Sequence, residues 1–313
     1  MSEFPDPLRL PGTVDEARLE RRKRIVASAS RGVILRLIIV AAEFIGVLYS
    51  GSAALMTDAI FSLVDVAFSL LLITCVLLAG RPPDQEHPFG HGRYEPLVGL
   101  QSGIFMILLG GGMFIQQLFE IDHTSHSQLL DKPIWIIPLF AVVLLEISYR
   151  NVMQTAKKQN SPALAADAAH YRIDSLTSLF AMIALLLANI LPEWSGTIDH
   201  AGAMIISIAM GILGFIAARG NLNQLLDRAP DPEFFERVQS AAQKVQEVKE
   251  VEKTRIQLYG PDAHVDIDVE VDPQMSVERA HRISQEVRLE IQKAWPAVRD
   301  VTVHIEPYYP GDH

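Results

Sequence analysis

An α-helical membrane domain of six spans, joined to a small α+β domain at its C-terminal end, is the fold this sequence predicts, on three observations. Of its 313 residues 49% are hydrophobic and 20% are charged, with a mean hydropathy of +0.20. That is too apolar for an average soluble domain and too charged for a wholly membrane-embedded chain, so two unlike parts are joined. The apolar residues gather in six stretches, each of a length that crosses about 30 Å of hydrocarbon. Beyond Gly220 the pattern changes to amphipathic helix and alternating strand. The division reads as a basic leader over 1–31, a transmembrane domain over 32–220 and a cytoplasmic domain over 221–313.

The leader holds Pro5, Pro7 and Pro11 and then Arg21-Arg22-Lys23-Arg24, which predicts a mostly disordered start passing into a basic juxtamembrane helix. Beside a membrane span the basic cluster is an orientation signal rather than a nucleic-acid contact. A charged leader of this length is unlike a cleaved signal peptide. The spans run about 32–50, 53–79, 96–119, 133–153, 163–191 and 197–218. Lys and Arg crowd the leader, the loop at Arg81 and Arg93, the link at Arg150, Lys157 and Lys158, and the exit at Arg219 and Arg228. The opposite connectors carry Glu120, Asp122, Asp131, Glu193 and Asp199. The positive-inside rule then places both termini in the cytoplasm. Cys75 is the single cysteine, so the chain has neither a disulfide framework nor a thiolate cluster. The formal net charge of −10 averages unlike regions and selects no partner.

In the C-terminal part, 232–248 reads as an amphipathic helix, 252–259 and 264–271 as strands, and 300–306 as a last strand. Ser276 is an N-cap for a helix to about Ala294, carrying Val277, Ala280, Ile283, Val287 and Ile291 on one face. The order α-β-β-α-β makes a small open α+β sandwich.

Ionisable residues inside the spans point to chemistry, because each is costly in hydrocarbon. Asp167, His170 and Asp174 fall on one stripe of the fifth span, and Asp58 and Asp65 bracket a similar run in the second. If these helices cross, Asp65, His170 and Asp174 converge as two oxygens and one nitrogen around a divalent cation such as zinc. Arg36, Glu43, Gln101, Glu146 and Arg172 read as polar residues that pair helices or relay charge. Arg172 points away from the His170 face and snorkels toward the cytoplasmic edge. Gly110-Gly111-Gly112, and Gly202 through Gly214, suit close helix packing.

Four motifs in order resemble the cation diffusion facilitator family of divalent-metal/proton antiporters. They are Ser52 to Asp58 leading into Asp65, Asp84 to Glu95 with its His-Pro-Phe-Gly-His, Asp167 to Asp174, and the tail segments Val269 to Pro273, Ala280-His281 and Val303 to Pro307. The resemblance implies six membrane helices followed by a metallochaperone-like cytoplasmic domain, usually dimeric through that domain. It implies a transport site at Asp65, His170 and Asp174. The family's fourth position falls on Phe61, which has no lone pair to offer, with Asp58 one turn away as a substitute donor or a helix-end residue. Three protein donors weaken a tetrahedral zinc site and favour a metal that tolerates more oxygen ligands. The resemblance further implies a loop metal site at Asp84, His87 and His91. Tail metal positions fall on Glu252, Asp268, His281, His304 and Glu306, and the acidic residues among them weaken a binuclear zinc site.

The function implied is efflux of a cytoplasmic divalent metal, of the zinc, iron(II), manganese, cobalt or cadmium class, in exchange for protons. The exporter would be homodimeric, work by alternating access and sit in a bacterial inner membrane. The alternative is a transport-silent metal-sensing or heterodimer partner, motivated by Phe61. An intramembrane metallohydrolase is disfavoured by the lack of an HExxH motif and of a nucleophile elbow.

Overall fold

Residues 12–50, 53–81, 83–120, 136–159, 161–190 and 195–310 are described by a computed structural model of the chain. They form α1 (Gly12–Ser50), α2 (Ala53–Ala79), α3 (Tyr94–Glu120), α4 (Ile136–Gln159), α5 (Pro162–Ile190) and α6 (Ser195–Leu225), then α7 (Pro232–Ala242), β1 (Glu250–Tyr259), β2 (Asp262–Val271), α8 (Val277–Ala294) and β3 (Val298–Pro307). The chain divides into a helical unit, Arg24–Leu222, and a second unit that holds residues 223–310.

The helices of the first unit are long because nothing interrupts them. Their prolines, Pro96, Pro138 and Pro162, all lie in first turns, where no backbone donor is lost. The basic leader does not stand apart from the first span: from Gly12 onward it belongs to the same helix, and Ile25 and Ala29 are buried. At the start of α5 the Ser161 hydroxyl accepts from the Leu164 N–H at 3.3 Å and donates to Glu95 at the head of α3. One side chain thus caps one helix and ties it to another. α3 and α6 approach until their backbones touch. A Cβ on Gly103 would lie 2.6 Å from the Ala218 nitrogen and 2.8 Å from the Gly214 oxygen, so only glycine fits there.

This unit is apolar outside and polar within. Leu108, Phe119, Ile212 and Phe215 are more than half exposed, while Arg36, Asp65, Glu95, Asp167 and His170 are buried. That is the inverse of a water-soluble bundle. Two described stretches, Leu19–Ala42 and Tyr94–Phe119, are long and apolar enough to cross a membrane. Arg172 pairs helices, as its reading as a span residue expects: it meets Glu146 of α4 and lies 5.0 Å over the Tyr149 ring.

In the second unit β2 is central, antiparallel to β1 and parallel to β3, which makes a small mixed sheet. The β1–β2 hairpin turns at Gly260-Pro261, where Gly260 takes φ 58, a value a side chain would resist. Alternation along β2 sends Val265, Ile267 and Val269 into a core with Ile283, Val287 and Ile291 of α8. Ser276 accepts from the Arg279 N–H at 3.2 Å and caps that helix. α7 stops at Ala242 rather than Val248, because the chain tightens into i→i−3 turns through Val245 and Glu247 adopts φ 77.

Candidate metal centre

α2 and α5 supply the buried cluster. His170 Nε2 lies 2.8 Å from Asp65 Oδ1 and 3.8 Å from Asp174 Oδ1. One ligand atom from each of the three lies within 4.8 Å of the others. Donors held about 2.0–2.2 Å from a tetrahedral ion stand about 3.4 Å apart, so a modest inward movement would close them on a cation. The side chains of Asp58 and Phe61 lie outside the described residues, so the fourth position is fixed only by its place one turn before Asp65 on α2.

Two further groups meet this cluster. The Arg36 guanidinium of α1 donates to Asp174 Oδ2 and lies 4.2 Å over the Tyr171 ring. Asp167 accepts from the Ser69 hydroxyl at 2.8 Å. Arg36, Asp65, Ser102, Asp167 and His170 line one narrow cavity, walled by Phe68, Leu72 and Val98. Sequence reasoning did not single out Ser69 or Ser102, and it read Arg36 as a span residue that pairs helices or relays charge without placing it at this cluster. Charge balance is the signal that finds it, because two buried carboxylates and a third partly buried one beside a single imidazole call for a fixed cation.

The loop before α3 gathers Asp84, His87 and His91. Asp84 Oδ1 accepts from the backbone N–H groups of His87 at 2.7 Å and Glu86 at 3.0 Å, an Asx turn. These bonds, the one from His87 foremost, hold its carboxyl below the usual carboxylate range. The two imidazoles stand 4.4 Å apart, and the nearest Asp84 oxygens lie 3.5 Å from His87 Nδ1 and 3.4 Å from His91 Nε2.

In the sheet of the second unit, cross-strand register puts Asp268 of β2 opposite His304 of β3. His304 Nδ1 lies 2.9 Å from Glu306 Oε1 and 3.7 Å from Asp268 Oδ1. A hydrogen bond with Glu252 pushes the Glu306 carboxyl above its ordinary range. His281 does not join these three. It is exposed on α8, with its ring nitrogen 2.8 Å from Gln285 Nε2. The reason is the sheet's two-residue period: α8 packs on the face of Val265, Ile267 and Val269, and Asp268 faces the other way.

Family models match nearly the whole chain. The cation efflux transmembrane domain matches residues 30–226, and the cation efflux protein cytoplasmic domain matches 230–308. The chain belongs to the cation efflux family. As a cation efflux protein it carries metal cations across a membrane, and its C-terminal part is the family's dimerisation-type domain.

Relatives extend over most of the cation efflux chain. The manganese efflux system protein MneP of Bacillus subtilis is 27% identical over 281 residues, 88% of this chain and 94% of that one. A cation-efflux pump FieF of Pectobacterium carotovorum is 29% identical over 270 residues, covering 83% and 85%. The magnetosome protein MamM of Magnetospirillum gryphiswaldense is 27% identical over 302 residues, covering 93% and 92%. A solved C-terminal domain of MamM is 27% identical and covers 25% of this chain and 96% of that one, with a TM-score of 0.24.

Proposed function

We propose that this cation efflux protein is a homodimeric exporter that exchanges a cytoplasmic divalent cation for external protons by alternating access, with Asp65, His170 and Asp174 as the ligands of the transported ion. The observation that carries the proposal is the meeting of these three groups, with a 2.8 Å contact between Asp65 and His170, inside a unit whose outer surface is apolar. Two carboxylates and one imidazole are harder ligands than zinc prefers, which supports manganese or iron(II) as cargo. The name of the manganese efflux relative points the same way.

Proton exchange follows from the donors. Carboxylates and imidazole bind metal only after losing their protons, so metal and protons compete for the same atoms. His170 is the group whose ordinary range lies nearest neutral pH. In this reading α1 to α6 each span the membrane, the positive loops and both termini face the cytoplasm, and the membrane is a bacterial inner membrane. Asp84, His87 and His91 hold a second ion at the cytoplasmic face. Asp268, His304 and Glu306 bind metal in the tail, where binding favours one arrangement of the dimer.

Purified protein in proteoliposomes with an acid interior and a metal-sensitive dye tests the proposal. The native chain should accumulate Mn2+ or Fe2+ only while the pH gradient stands, and Asp65→Asn and Asp174→Asn should not. A native chain that moves no divalent metal while its tail binds one would instead make it a silent, metal-sensing partner.

A further inference from the structure

Arg36 stands where a metal transporter has least use for it. Its side chain is only 2% exposed, and it donates to one oxygen of Asp174 while the other oxygen faces His170 at 3.8 Å. The position is built rather than incidental. The guanidinium lies 4.2 Å over the Tyr171 ring. The Tyr171 phenol in turn fills the space beside Gly32, one turn earlier on α1, where a Cβ would come within 2.5 Å of its oxygen. α1 is therefore shaped at two successive turns to set a guanidinium against the cluster.

A guanidinium has no lone pair for a metal and keeps its charge at any working pH. With Asp65, Asp167 and Asp174 as carboxylates, its presence leaves the cluster a net charge of minus two, which one divalent ion neutralises; without it the cluster would carry minus three. A pocket of minus three beside an imidazole would hold a dication tightly and release it slowly.

Taking Asp65, His170 and Asp174 as the transport ligands, we infer that Arg36 is a tethered competitor cation: it shares Asp174 with the transported ion, so that loading the site exchanges one cation for another at that carboxylate. Arg36 thereby lowers affinity for every divalent metal and speeds release. It is a positioning residue that sets how tightly the site holds its ion, rather than which ion the site prefers.

The test titrates the full-length protein in detergent with Mn2+ and with Zn2+, as the native chain, Arg36→Gln, Arg36→Lys and Asp65→Asn. Arg36→Gln should bind both ions roughly tenfold more tightly or better, and Arg36→Lys, which keeps the charge, should stay within about threefold of native. In proteoliposomes Arg36→Gln should lower KM and kcat together, whereas loss of a merely structural contact would lower kcat and raise KM. Unchanged or weaker binding by folded Arg36→Gln overturns the inference. Should that variant fail to fold, the double variant Arg36→Gln/Asp174→Asn is compared with Asp174→Asn alone. Removing the cation must still tighten binding at Asp65 and His170, and equal or weaker binding overturns the inference. Asp65→Asn separates the two levels. Native binding that Asp65→Asn leaves intact removes the ligand assignment, and this inference with it. Binding lost in Asp65→Asn yet indifferent to Arg36→Gln removes only the role of Arg36.

Discussion

Two clusters in this chain share a donor set of two carboxylates and one imidazole, and their surroundings are opposite. Asp65, His170 and Asp174 lie inside the helical unit, where the His170 side chain is 7% exposed. Asp268, His304 and Glu306 lie on an open sheet face, where the His304 side chain is 65% exposed. Water compensates the charges of the second cluster. The first must be answered by the protein, and it is, by Arg36 on Asp174 and by Ser69 on the neighbouring Asp167. Ligand composition alone therefore does not separate the cluster proposed for transport from the one proposed for sensing. The fixed charges around the ligands do.

The largest expected effect tests that contrast directly. Loss of an outer partner of a metal site commonly costs 10–100-fold in affinity, so Asp65→Asn should lower metal flux by about 100-fold or more. His304→Ala should leave the initial rate within about threefold of native, since its cluster belongs to the second unit and adds no ligand to the proposed transport site. Equal losses in proteoliposomes would dissolve the distinction between the clusters.

The second effect concerns stability. An ion that binds only the folded tail stabilises it by about 2.7 kcal/mol at 100 times its Kd. Saturating Mn2+ or Zn2+ should accordingly slow hydrogen exchange in β2 and β3, and His304→Ala should remove that protection. His281→Ala should retain it, because His281 sits on the helix side of the sheet.

His281 also marks how far the sequence could be read. The alternation that makes 264–271 a strand is plain, and so are the Ser276 cap and the helical spacing that puts His170 and Asp174 on one stripe. All are local, set by residues within a few positions of one another. Which face of the sheet α8 covers is decided by chain crossover and sheet order, and that separates His281 from Asp268. The partner of Arg36 escaped for the same reason: Asp174 lies 138 residues away, and no periodicity within α1 says which helix Arg36 will face. Glu146 and Arg172 meet across 26 residues by the packing of α4 on α5, which bears out their reading as helix-pairing residues but could not be matched as partners from the sequence. The end of α7 was missed more simply, since Glu247 gives no warning that it will take a positive φ.

A third, smaller effect sharpens the buried side of the contrast. Ser69→Ala removes the hydroxyl that donates to Asp167 at 2.8 Å and leaves that buried carboxylate oxygen without its donor. The expected cost is about 1–3 kcal/mol, read from thermal unfolding in detergent. Glu306→Gln, on the open face, should change stability by no more than about 0.5 kcal/mol. A Ser69→Ala variant as stable as native would mean that water reaches Asp167.

The smallest effect lies in the pH dependence of the cytoplasmic unit, where covered and open imidazoles occur on one sheet. His264 is half-buried on β2, 4.5 Å from the Tyr259 ring, and burial pushes its pKa below the ordinary 6.5. Between that lowered value and 6.5 the unfolded chain binds a proton that the folded chain refuses. Stability contributed by neutral His264 is therefore fully present above about pH 6.5 and is lost as pH falls through the folded value. Glu247 has a separate window. The Arg279 hydrogen bond holds its carboxyl below the ordinary 4.5, so its contribution is fully present above about pH 4.5 and is lost as pH falls through the folded value. Chemical denaturation followed between pH 7 and pH 5 should thus show falling stability in the native chain and a flatter profile in His264→Phe. An identical slope in the two would place the acid loss on another group and leave the covered imidazole electrostatically equivalent to an open one.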